Sequence, residues 1–129
     1  MEYYFTTTIE NTDFETAVQK TTEGLKEEGF GVISTIDFQA TLKEKLDVDF
    51  RKYSVLQACN PPYAYKSLQT EDKIGTLLPC NVVVQEIANG TFEISSINPQ
   101  AAMSAVKNDT MAQIAKEISE KLKRVIEKL

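Results

Sequence analysis

The chain has 129 residues, 42% of them apolar and 26% charged, with a formal net charge of −5 and no histidine. One domain over 1–129 is expected, burying about two-thirds of its unfolded surface, which suffices for a core without staples. The acidic balance argues against unspecific binding to nucleic acid or anionic membrane. Without histidine there is no Ser-His-Asp or Cys-His nucleophile system and no imidazole metal ligand.

Residues 2–9, "EYYFTTTI", are aromatic and β-branched and predict a strand. Thr12 and Glu15 have capping-box spacing. Phe14, Val18, Thr21 and Leu25 then recur at helical intervals, so 13–28 is expected to be an amphipathic helix stopped by Gly29. "FGVISTIDF" at 30–38 predicts a second strand with Phe30, Val32, Ile36 and Phe38 on one face. "QATLKEKL" at 39–46 predicts a short helix and "YSVLQACN" at 53–60 a third strand. Asn60 suits an N-cap and Pro61 the first helical position, so 61–69 is expected to be helical, with another turn near 71–74.

"NVVVQEI" at 81–87 and "TFEISSI" at 91–97 are two strands around Asn89-Gly90, a hairpin signal. Residues 100–106 are expected to make a helical turn. Asn108 or Asp109 then caps a long helix to about residue 128. Its stripe, Met111, Ile114, Ala115, Ile118, Leu122, Val125, Ile126 and Leu129, is wide enough to cover a sheet. Glu117 with Lys121 and Glu120 with Arg124 are spaced for i,i+4 ion pairs. The hairpin makes the sheet antiparallel, so the expected class is α+β: about five strands in one antiparallel sheet, backed by helices, with a long C-terminal helix.

"GFGVISTIDFQATLKEKLDVDFRKYSVLQACNPPYAYKSL" and "IGTLLPCNVVV", in this order, closely resemble the family called domain of unknown function 302, over about residues 3 to 110. The resemblance implies a TATA-binding-protein-like arrangement of sheet and helices. It implies no DNA binding and no established activity, and it implies that a homodimer is common.

The two cysteines fall where the third strand ends and the fourth begins. As antiparallel neighbours, these ends would meet at one edge of the sheet under a lid formed by 61–79. The candidate ligand site is therefore Cys59, Asn60, Tyr63, Lys66, Cys80 and Asn81, with no catalytic residue and no resident metal. Lys66 and the start of the 61–69 helix would favour a thiolate, whereas a free cysteine is as often simply a small buried residue. Glu71 with Asp72, Asp47 with Asp49, and Arg51 with Lys52 are weaker candidates. Each is explained by a helix start, a turn or a solvated pair, although Arg51 and Lys52 would suit an anion near the same edge.

The functional expectation is a non-enzymatic small-ligand-binding or interaction module, homodimeric and cytoplasmic, its cofactors unspecified. The start of the chain lacks signal-peptide character and no apolar run approaches a membrane span. The alternative is thiol-based redox or soft-metal handling through Cys59 and Cys80. Both thiols are expected to be reduced in the cytosol.

Overall fold

The computed structural model describes residues 1–129. Five strands, β1 Tyr4–Ile9, β2 Gly31–Asp37, β3 Tyr53–Cys59, β4 Cys80–Ala88 and β5 Thr91–Ile97, form one sheet in the order β1-β5-β4-β3-β2. Every neighbouring pair is antiparallel. The helices are α1 Phe14–Glu27, α2 Phe38–Leu46, α3 Pro61–Thr70, α4 Pro99–Ala102 and α5 Asp109–Glu127, with a 3-10 turn at Asp72–Leu77. The α+β class holds, and the 19-residue α5 is the longest helix. None of the helices is long and apolar enough to cross a membrane.

Alternation places one residue of every two against the helices. Leu56 and Ala58 of β3, Val82 and Val84 of β4, and Phe92 and Ile94 of β5 are buried. They form one core with Ala17 and Leu25 of α1 and with Met111, Ile114, Ile118, Leu122, Val125 and Ile126 of α5. Thr6, Ser95, Val83 and Val55 point to the opposite face and stay exposed or half-buried; α2 touches that face at the start of β3, where Phe38 packs edge-on against Tyr53.

Local chemistry differs from expectation at several helix ends. Asp13, not Thr12, caps α1: its Oδ1 accepts from the Thr16 amide at 2.8 Å. Phe38 opens α2 instead of closing β2, because Asp37 has the extended backbone of an N-cap and its Oδ1 accepts from the Ala40 amide. Alternation in β2 is also broken. Val32 pairs with Ala58 and Ser34 with Gln57, which leaves Ile33 as the extra residue of a β-bulge. On α5, Arg124 turns away from Glu120 to Glu28 at the end of α1, with Nη2 2.9 Å from Oε1. Lys121 lies over the Tyr63 ring instead of pairing with Glu117. A cross-element partner that also holds two helices together displaces a solvated i,i+4 pair, which is worth only a few tenths of a kcal/mol (~0.3–0.5).

The two-residue hairpin turn forms at Asn89 and Gly90, and only the glycine takes a left-handed backbone, φ +78°. At the end of α1, Gly29 also has positive φ, +87°. A Cβ there would meet Nδ2 of Asn60 at 3.1 Å, so backbone and space both favour glycine.

Candidate functional site

The strand ends converge as the cysteine positions imply. Ala58 of β3 faces Cys80 of β4 in register, so Cys59 lies one residue beyond that pair, opposite Gly31. From there α3 and the 3-10 turn run back across the sheet's end to β4. Beneath them is a cavity of about 290 Å³. Its floor is Phe30, Ala58 and Cys80, and Cys59, at the very end of β3, borders it. One wall is the inner side of α3, with Tyr63, Ala64, Ser67 and Leu68, and another is Ile114, Ala115 and Ile118 from the first half of α5. Gly75, Leu78, Pro79, Pro99 and Met103 close the remainder, and Ile33 and Asn60 border it.

Of the six residues expected at this site, four come together: Cys59, Asn60, Tyr63 and Cys80. Lys66 and Asn81 do not. Lys66 lies on the exposed side of α3, one position from Ser67, which faces inward. Asn81 follows Cys80 in β4 and so points to the other face of the sheet, where its Oδ1 accepts from Nε2 of Gln57 at 3.4 Å. Both placements are legible in periodicity alone. Positions 63, 64, 67 and 68 share a helix side that excludes 66, and 80 and 81 of one strand cannot share a face.

Asn60 occupies the N-cap position of α3, yet its side chain makes no capping hydrogen bond. Instead Nδ2 donates to the main-chain oxygen of Glu28 at 3.1 Å. The prolines that follow explain why the cap is dispensable. Of the two amides that an N-cap side chain serves, those of the second and third helical residues, the first is absent because Pro62 has no N–H, and only that of Tyr63 remains.

The two thiols differ in setting. Cys59 is half-buried and Cys80 is buried; neither is in a disulfide. Burial, reinforced by the neighbouring Cys59, pushes the Cys80 thiol up from 9.0 to about 12. Cys80 is therefore a neutral thiol in an apolar wall.

The remaining candidates are structural. Glu71 caps the 3-10 turn, accepting from the Lys73 amide, while Asp72 is in its first turn. Asp47 ends α2 with φ +53°, and Lys43 reaches both Asp47, at 3.0 Å, and Asp49, at 3.3 Å. Arg51 and Lys52 precede β3, at the opposite end of that strand from Cys59. Arg51 stacks over Phe50 and donates from Nε to Gln85, so it does not flank the cavity. The sequence does not single out Ile33, Ala64, Ser67 and Leu68 for this cavity, nor Ile114, Ala115 and Ile118 of α5, whose stripe is expected to serve as core or as core and dimer contact. The bulge that puts Ile33 there leaves no mark in the sequence.

A family model described as "Domain of unknown function DUF302" matches residues 5–129. The chain is similar to the crystal structure of an uncharacterized conserved protein DUF302 from Bacillus stearothermophilus. Identity is 28%, 98% of each chain is covered, and the TM-score is 0.87. No curated protein matches the chain.

Proposed function

The chain belongs to the DUF302 family, and from that premise we propose that it is a non-enzymatic module that binds a small molecule in the cavity beneath α3. The observation that carries this reading is the cavity itself. Ligand sites are concave, mostly apolar and furnished with a few polar groups. Here thirteen of eighteen bordering residues are hydrophobic, Tyr63 and the two cysteines among them, and Asn60 and Ser67 supply polar side chains. Titrating isotope-labelled protein with a fragment collection tests it by two-dimensional NMR. Shifted amides are expected at 58–60, 63–68 and 78–80. Shifts confined to the opposite face of the sheet, or none at all, would sink the reading.

The module is proposed to act as a homodimer in the cytoplasm. Support for the dimer comes from the sheet face opposite α1 and α5, where Val55, Val83 and Ile97 are only half-buried, and from Tyr3, 67% exposed beside it. Free cysteines suit a reducing compartment. Sedimentation equilibrium at tens of micromolar is the measurement; a monomer would count against it.

The thiol reading, redox or soft-metal handling by Cys59 and Cys80, draws on both residues bordering one cavity. It is the weaker of the two, because the neutral Cys80 is a poor nucleophile and a poor ligand.

A further inference from the structure

The cavity beneath α3 carries information about the charge and size of what it holds. None of the eighteen residues around it is Asp, Glu, Lys or Arg. A charged group brought into such a place leaves water and finds no counter-ion. The polar atoms that border it belong to neutral groups. The Asn60 amide is anchored through Nδ2 to Glu28, which leaves its carbonyl oxygen as an acceptor, and Ser67 contributes a hydroxyl from a position only 3% exposed.

The volume bounds the size. A cavity of about 150 Å³ lined by aliphatic and aromatic side chains accommodates benzene. Here there is about twice that, 290 Å³, enough for about ten to twelve non-hydrogen atoms. The entrance is marked by two aliphatic residues that border the cavity and are nonetheless exposed, Ile33 at 66% and Leu68 at 48%. Ile33 is there because the bulge in β2 leaves it unpaired between Val32 and Ser34. Bulges re-aim side chains in this way beside functional sites.

We propose that the cavity takes an uncharged, mainly aliphatic or single-ring molecule of about ten non-hydrogen atoms, bearing one hydroxyl, carbonyl or amide group, and that Ile33 and Leu68 form the rim through which it enters. This rests on the reading of the cavity as the ligand site. The polar group of the ligand pairs with Asn60 or Ser67, and the hydrocarbon part covers the aliphatic rim.

Three probes of one chain length separate charge from shape: n-octanol, n-octanoate and n-octylammonium, titrated at pH 7 and followed by NMR. Octanol is expected to bind at least about ten-fold more tightly than either ion, shifting the methyl signals of Ile33 and Leu68. Ile33→Ser, at an exposed position that tolerates change, is expected to weaken octanol several-fold. Ala64→Leu, which fills the cavity, is expected to abolish binding, with circular dichroism reporting that the fold persists. Equal or tighter binding of octanoate or octylammonium overturns the ligand class and leaves the site standing. So does failure of octanol while fragments still shift the cavity amides. If octanol binds the folded Ala64→Leu protein unchanged, it sits elsewhere and the proposal falls. Silence of fragments and probes alike removes the site with it.

Discussion

Glu28 and Asn60, thirty-two residues apart, are joined by a hydrogen bond from the Asn60 amide nitrogen to the Glu28 main-chain oxygen, 3.1 Å long. The same Glu28 holds α5 through its carboxylate, 2.9 Å from Nη2 of Arg124 and 3.9 Å from Lys128. One residue at the end of α1 thus fixes both the start of α3, which roofs the cavity, and the last turns of α5. The unsatisfied carbonyls that end every helix explain the choice of partner.

Replacing Asn60 tests whether this tie or a cap is what stabilises the roof. Asn60→Ala is expected to cost about 1–2 kcal/mol, because the Glu28 oxygen loses its donor in a partly buried place. Asn60→Asp keeps a good capping side chain but cannot donate, so it is expected to be no more stable than the alanine variant. Urea denaturation measures both. An aspartate variant as stable as the parent would mean that capping, not the tie, matters at this position.

Acid is expected to loosen the α1–α5 clamp. The hydrogen bonds from Arg124 hold the Glu28 carboxyl below its ordinary 4.5, against the opposing effect of burial. A carboxyl whose folded pKa is depressed stabilises the fold above its unfolded pKa. That contribution is lost as pH falls through the lower, folded value. The urea midpoint of the parent should exceed that of Glu28→Gln at pH 7, and the gap should close below about pH 4.5. Asp13, also lowered by its capping bonds, is common to both proteins and cancels. A gap that persists unchanged at pH 3 would refute the assignment.

The strands, the long helix and the placing of Cys59 and Cys80 at one end of the sheet were legible because they rest on periodicity and turn chemistry. The stripe from Met111 to Ile126 is buried as its spacing required. What escaped was set by partners distant in sequence. Ile33 reaches the cavity through a bulge that depends on how β2 and β3 register. The Asn60 side chain donates to the end of α1 and makes no cap on α3, where Pro62 removes one of the two amides it could have served. Phe38 looked like the end of a strand until Asp37, a better cap than a strand residue, claimed it for α2. Lys66 and Asn81 are different. Helical and strand parity already put them on the wrong sides, and their nearness in sequence to the cysteines concealed it.

The thiols give the last expected outcome. In the folded protein Cys80 should stay silent to a thiol reagent at pH 8, since burial keeps it protonated up to about 12, and it should react once denaturant is added. Cys59, half-buried at the strand's end, should react without unfolding. Lys66→Met should leave the rate at Cys59 unchanged, because that ammonium is on the outer side of α3. The same burial has an alkaline consequence. The unfolded Cys80 thiol ionises near 9.0 whereas the folded one does not until about 12, so the folded state binds the extra proton and loses stability as pH rises through that window. Cys80→Ala should remove that component of the alkaline decline. If Lys66→Met slows Cys59, the ammonium reaches the thiol after all. If Cys80 reacts in the native state at pH 8, the apolar wall is open to water, and the thiol reading regains its case.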